Sequence, residues 1–269
     1  MQLTEVARAG DAGDDPQFRL VFLFHADLPV LERTLPRCLD ALTAGTRQTY
    51  EVVVHCDGTP VEIARELLDR QERWGVDEIR FGSRQRFTAS GDRSNNGHHR
   101  LFGGRSRYVV VVEDDVLVER LDPSFDPLTA WRDLFETHPE VVAACSMADH
   151  GDWAWGLDDL APPVAPGIRS VNRVSTHLVA YDRERFLPAA TRFGAFDVDV
   201  FVDREDLSYN WEDLVSHVGT TGGRRIAWPD GWPLQAHHCD RKVAAGSMYN
   251  TQDPRVKHAV LDHLLRAAR

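Results

Sequence analysis

Three consecutive carboxylates, Glu113, Asp114 and Asp115, follow directly on the run Tyr108-Val-Val-Val-Val112. Like charges this close raise each other's pKa, and desolvation at the end of a buried strand adds to the cost. A divalent cation removes the conflict, and oxygen donors suit Mg2+ or Mn2+. Mg2+ usually takes one or two protein carboxylates and fills its other positions with water and substrate phosphates, so a diphosphate-bearing substrate is the expectation. In an extended chain Glu113 and Asp115 point one way and Asp114 the other. Asp115 is therefore assigned as the direct metal ligand, with Glu113 or Asp114 holding ribose or sugar hydroxyls or an outer water. An acidic turn after a strand is common on protein surfaces. Its place at the end of a strand apolar on both faces is what lifts this one above that background.

Other residues join the triplet through topology. Leu20–Phe24 and Val52–Cys56 read as buried strands, and the polar residues that end them are His25 and Asp57. Ligands of open α/β sheets bind at the carboxyl ends of parallel strands. If the three strands are parallel, His25, Asp57 and the acidic triplet face one crevice. Arg84, Arg86 and Arg93 cluster further on; a solvated basic face is the ordinary meaning of such a run, and contact with a diphosphate, by Arg84 first, is the functional one. Trp153, Trp155 and Trp232 fall in loops rather than on a periodic face, where aromatic rings stack on sugars or cap a core.

The elements that must position these residues alternate. Leu28, Leu31, Leu35, Leu39 and Leu42 recur at helical spacing, with Pro36 expected to bend the helix because it cannot donate to the carbonyl of Glu32. Thr59-Pro60-Val61-Glu62 reads as a capping box that opens a helix running to about Trp74. Glu78–Phe81 is a weaker strand, and Ser94–Arg105 a helix that contains three glycines. The four valines before Glu113 predict a strand buried on both faces. Asp126-Pro127 caps a helix with Leu128, Trp131, Leu134 and Phe135 on one face, and Val141–Cys145 is another buried strand. Residues 150–168 read as a long loop, Val174–Tyr181 as a strand and Asn210–Val218 as a short helix. Arg224–Trp228 is expected as the last strand, residues 229–250 as a loop holding His237 and His238, and Asp253-Pro254 as the cap of a final helix bearing Val256, Val260, Leu261, Leu264 and Leu265. Such alternation implies an α/β fold, a mostly parallel central sheet with helices on both faces.

The totals agree with one α/β domain. The chain has 269 residues, 42% hydrophobic and 27% charged, enough for a sizeable core. A net charge of −11 argues against a general nucleic-acid binder, which would show a basic footprint, but not against a phosphate ligand held through a metal. Cys38, Cys56, Cys145 and Cys239 are widely spaced, and the first three sit in apolar stretches, so reduced thiols are expected rather than a zinc site or disulfides. No apolar run approaches the roughly 18 residues of a membrane span. Residues 1–17 are polar and rich in Asp and Gly, which reads as a flexible tail without a signal peptide, and a cytoplasmic protein is the expectation.

The segment from Tyr108 to Val118, Y-V-V-V-V-E-D-D-V-L-V, resembles the DxD region of GT-A glycosyltransferases. It is most similar to the E-D-D version of the N-acetylglucosaminyltransferase I family. The opening strand and the following helix resemble the first βα unit of that family and of the inverting family two glycosyltransferases. The resemblance extends in order over roughly residues 18–240 and implies a Rossmann-like GT-A fold. It also implies a nucleotide-sugar donor, UDP-linked, a carbohydrate or small-molecule acceptor, and Mn2+ or Mg2+. Residues 18–269 would then form one domain, with 18–118 binding the donor, 119–250 binding the acceptor and carrying catalysis, and 251–269 forming the C-terminal helix. Asp57 falls where the family contacts uracil. Trp211-Glu212-Asp213 resembles the motif that carries the catalytic base, which assigns Asp213 that role, places Glu212 beside it and joins Trp211 to Trp153 and Trp155 as acceptor-binding aromatics. His237 or His238 falls where many such enzymes place a late metal-binding histidine. Glu212 stands where an Asp is usual, the opening strand lacks the family-two Pro and Asn, and residues 150–172 match no known pattern. Two other readings remain open: a sugar-phosphate nucleotidyltransferase, which needs a Gly-rich phosphate loop that Phe24-His25-Ala26-Asp27-Leu28 does not supply, and a sugar-binding module without catalysis.

Overall fold

The computed structural model describes residues 15–24, 26–57, 59–82, 102–146, 158–174, 177–192, 211–239 and 254–267. The first half is a series of βα units: β1 (Phe18–Phe24), α1 (Leu28–Thr43), β2 (Tyr50–Asp57), α2 (Val61–Arg70) and β3 (Glu78–Gly82). It continues with β4 (Tyr108–Glu113), β5 (Val116–Arg120), α3 (Pro127–Thr137) and β6 (Val141–Cys145). The second half adds β7 (Arg169–Val171), β8 (Leu178–Asp182), α4 (Arg183–Arg192), α5 (Trp211–Thr220), β9 (Arg225–Trp228), β10 (Leu234–His238) and α6 (Pro254–Ala267).

Eight strands make one sheet in the order β3-β2-β1-β4-β8-β6-β9-β7, and β5 and β10 pair apart from it. β1 to β4, β6 and β9 run in one direction, while β7 and β8 oppose them. The valine run of β4 shows why this order holds together. Tyr108, Val110 and Val112 enter a core with Leu31 and Leu35 of α1 and Trp131 and Phe135 of α3. Val109 and Val111 enter the opposite core with Phe186 of α4 and Val215 and Val218 of α5. A residue period of two thus meets apolar partners on both sides, as a central strand requires. Asp126 caps α3 as its sequence indicates, accepting from the amides of Leu128 at 3.1 Å and Thr129 at 3.2 Å. All four cysteines are buried free thiols; burial pushes Cys38 up to about 12.

Several expectations change. No capping box opens α2: Pro60 is the cap residue, it makes no side-chain bond, and Thr59 lies one residue outside. That helix stops at Arg70, and turns lead to Gly75, whose φ of 64° favours glycine. The strand expected from Val174 begins at Leu178, because the Val174 amide is committed to Ser216 Oγ of α5 at 3.0 Å. β5, β7, β10 and α4 are additions, and the stretch read as a loop around His237 and His238 is a strand. Ser94–Arg105 lies outside the described residues up to position 101. Among the described residues, no helix is long and apolar enough to cross a membrane.

At the amino edge of the sheet, Arg19 is fully buried and bonds Glu51 Oε1 at 2.8 Å and Glu78 Oε2 at 2.7 Å. Ser106 Oγ adds a bond to Glu51 at 3.0 Å, and Arg80 pairs with Glu78. Gly104 passes so close, at φ 82°, that a Cβ there would lie 2.7 Å from Arg19 Nη1.

Candidate metal centre at the carboxyl end of the sheet

β1, β2 and β4 are parallel neighbours, so their carboxyl ends share one edge. Phe24 is in register with Cys56, and Leu23 with Glu113, which sets the end of β2 two strands from the end of β4. At the strand spacing of ~4.8 Å the two backbones are about 10 Å apart.

The acidic triplet is not extended. β4 ends at Glu113, and Asp114 and Asp115 form the turn into β5, which breaks the alternation expected of a strand. Asp is a common turn residue because its side chain supports the local backbone. The turn's carbonyls are anchored from two sides, Asp114 by Thr34 Oγ1 of α1 at 2.9 Å and Asp115 by the Cys239 amide at 2.7 Å.

The pairing of β5 with β10 turns the adjacent histidines to different carboxylates. His237 and His238 lie opposite Leu117 and Val116. Successive side chains of a strand point to opposite faces. His237 Nε2 meets Glu119 Oε2 at 3.3 Å, whereas His238 Nε2 meets Asp115 Oδ1 at 3.4 Å. His177, just before β8, completes the group: its carbonyl accepts from the Glu113 amide at 3.2 Å, and its Nε2 lies 3.6 Å from Glu113 Oε2. The His177 and His238 rings pack edge to face with centroids 4.4 Å apart. One ligand atom from each of Glu113, His177 and His238 lies within 4.8 Å of the others.

Asp115 sits beside this group rather than inside it. Its side chain is 9% exposed and bonded to Lys257 Nζ of α6 at 2.5 Å. Burial alone would raise its pKa, but the His238 and Lys257 contacts outweigh burial and hold the carboxyl well below the usual carboxylate range.

The other candidates divide. His25, Arg84, Trp153 and Trp155 lie outside the described residues, as do Arg86 and Arg93. Of Asp57, which ends β2, and of Trp211, Glu212 and Asp213, which open α5, the backbone alone is described. Trp232 packs on Phe125 and Trp131 and belongs to the edge of the core. His177 and Lys257 had no local signal: a lone histidine before a strand and a lysine on an amphipathic helix gain meaning only from the chain brought against them.

No family model and no curated protein matches the sequence. Solved structures do match the fold. GalNAc-T7 with UDP, GalNAc and Mn2+ superposes with a TM-score of 0.57 at 13% identity, over 93% of this chain and 48% of that one. TarS 1–349 of S. aureus in complex with UDP-GlcNAc gives 0.50 at 12% identity, over 93% and 71%. The fold is that of GT-A glycosyltransferases. The mannosyltransferase PcManGT from Pyrobaculum calidifontis, in complex with GDP-Man and Mn2+, gives 0.45 at 15% identity, over 84% and 60%. The chain thus spans about half of GalNAc-T7 and three fifths of PcManGT.

Proposed function

We propose that this protein is a metal-dependent, inverting glycosyltransferase that uses a nucleotide-sugar, UDP-linked, as donor and a carbohydrate or small-molecule hydroxyl as acceptor. The convergence of Glu113, His177 and His238 at the carboxyl edge of a GT-A sheet carries this reading. A carboxylate and two imidazoles form a mixed oxygen and nitrogen donor set, which suits Mn2+ at least as well as Mg2+. The 3.6 Å between His177 Nε2 and Glu113 Oε2, and the 4.8 Å within which one donor atom of each of the three residues lies, would let a single ion sit among them. Glu113, His177 and His238 would hold the ion, with Asp115 in contact with His238. When bound, the ion neutralises negative charge on the departing diphosphate.

The remaining roles belong to the chain's own residues. Asp57, two strands away, takes the uracil imide N–H, with His25 and Arg84 on the same donor. The acceptor hydroxyl, bound by Trp153, Trp155 and Trp211, attacks the anomeric carbon as the bond to the diphosphate breaks. The electron pair leaves with the diphosphate, and the proton goes to Asp213, or to Glu212 beside it. A single displacement inverts the anomeric centre. A nucleotidyltransferase fits less well. Residues 25–27 alone separate β1 from α1, and Asp27 caps that helix through the Val30 amide at 3.2 Å, which leaves no space for a phosphate loop.

The test is release of UDP from UDP-GlcNAc, UDP-Glc and UDP-Gal with and without Mn2+. Metal-dependent turnover of one donor is expected, falling by about 10²–10⁴-fold in Asp213→Asn, the usual worth of a positioned general base. Metal-independent binding of UDP, retention in the product, or full turnover in both Asp213→Asn and Glu212→Gln would refute it.

A further inference from the structure

The C-terminal helix delivers a cation to the edge of the candidate metal centre. On α6, Lys257 lies one turn before Leu261, so both share a face. Leu261 is fully buried among Val30 of α1, Leu117 of β5 and Cys239. Asp262 pairs with Arg33, and His258 Nε2 lies 3.6 Å from Asp27 Oδ1 at the start of α1. These contacts fix the helix along α1 and the β5–β10 pair, so the fold sets the position of Lys257 Nζ. The side chain is 12% exposed and meets Asp115, which in turn meets His238. The ammonium is therefore one carboxylate removed from the Glu113–His177–His238 cluster.

We propose that Lys257 is a donor-binding residue that takes the diphosphate of the nucleotide-sugar, an inference that rests on the glycosyltransferase reading above. Charge is the first argument. Against Glu113, Asp114 and Asp115, Lys257 leaves two negative charges, which one divalent cation neutralises. Among the described residues a diphosphate then meets no surplus positive charge at this edge, and losing the ammonium would leave the edge one charge more negative. The choice of residue is the second. Of 31 basic residues only Lys242 and Lys257 are lysines, so a chain that otherwise uses arginine places an ammonium here. A guanidinium commits a planar fork to its carboxylate, whereas a compact ammonium with three rotatable donors can hold Asp115 and a phosphate oxygen together.

Calorimetry with UDP and with uridine, on the full chain in saturating Mg2+, tests this. Lys257→Met should weaken UDP roughly 10–100-fold, as expected for a hydrogen bond between charged groups, and leave uridine unchanged at a temperature where the variant is folded. Lys257→Arg should recover part of the UDP affinity. If Lys257→Met does not fold, Lys257→Gln, which retains a donor, carries the same comparison. Equal weakening of UDP and uridine would make Lys257 a mere prop for the helix. Unchanged UDP affinity with tighter Mn2+ binding would make it a stand-in for the metal. Either result overturns the inference while leaving the glycosyltransferase reading intact. Failure of the wild-type protein to bind either nucleotide would sink that reading, and this inference with it.

Discussion

The two ends of the central sheet bury charge in opposite ways. At the amino edge Arg19 and Arg80 meet Glu51 and Glu78, two positive against two negative, with Ser106 bonded to Glu51. At the carboxyl edge Glu113 meets the imidazole of His177, and Asp115 meets Lys257 and the imidazole of His238, with Asp114 between them in the turn. The first group is balanced within itself and cross-links β1, β2 and β3 where they start. The second, Glu113, Asp114 and Asp115 against Lys257, carries an excess of negative charge among the described residues, which on the function proposed above an added cation offsets. On the function proposed above, buried charge that does not cancel marks a binding site, and buried charge that cancels marks a structural tie.

The largest effect should separate the ends by stability. Arg19→Met leaves Glu51 and Glu78 buried without their shared cation, which typically costs about 3–5 kcal/mol. Urea denaturation should show this loss with and without Mn2+ and UDP. A variant as stable as wild type would mean that the amino edge is no tie. The opposite sign is expected at the carboxyl edge. Without metal, Glu113→Gln removes like-charge repulsion and should leave the melting temperature unchanged or higher; a clear fall would place this end in the same class as the other.

Ligand should stabilise one end alone. UDP at a hundred times its Kd, with Mn2+, adds about 2.7 kcal/mol to the native state. His177→Ala and His238→Ala should abolish that gain in a thermal-shift experiment, while His237→Ala, whose ring faces Glu119, should retain it. Loss of the gain in His237→Ala and its retention in His238→Ala would reverse the assignment. A smaller effect is expected at Gly104. Alanine there combines a φ of 82° with a Cβ placed 2.7 Å from Arg19 Nη1, and strain of this kind costs about 1–3 kcal/mol. UDP affinity should not change, because the damage lies at the far edge of the sheet.

The same contrast explains what could be read from the sequence. β4 was legible because a strand buried on both faces writes itself as an unbroken apolar run, and α3 because Asp126-Pro127 is a local cap with local consequences. β10 was not legible: Leu234-Gln-Ala-His-His is short and half polar, and it becomes a strand only through Val116-Leu117-Val118. The extended reading of the acidic triplet failed for a related reason, since the contacts that hold Asp114 and Asp115 in their turn come from Thr34 of α1 and from Cys239 just after β10, not from their neighbours. His177 and Lys257 lie 64 and 142 residues from the carboxylates they meet, Glu113 and Asp115, beyond any local pattern. Arg19 gave no signal either, since one arginine in a strand does not announce that two distant glutamates will enclose it.

The smallest expected effect is in pH dependence, and it should split the two ends once more. Burial alone would raise the pKa of Glu78, but hydrogen bonds from Arg80 and Arg19 outweigh it and leave the carboxyl below its ordinary value. A folded-state pKa below the unfolded one means that stability is fully present above the unfolded value, about 4.3, and is lost as pH falls through the folded value. The coupling of Arg19 to Glu78, from a double-mutant cycle with Glu78→Gln, should therefore be constant from about pH 8 to 5 and shrink only below about pH 4. At the other end, stabilisation by Mn2+ and UDP depends on imidazoles that must stay unprotonated to ligate. Imidazoles ordinarily protonate near pH 6.5, so this stabilisation should fade at least one pH unit above the point where the amino edge weakens. Two curves separated in this order would show that one group is held by its own charges and the other by an added cation. Curves that fall together would show that the histidines do not hold the metal, and the ligand would have to be sought among Asp114 and Asp115.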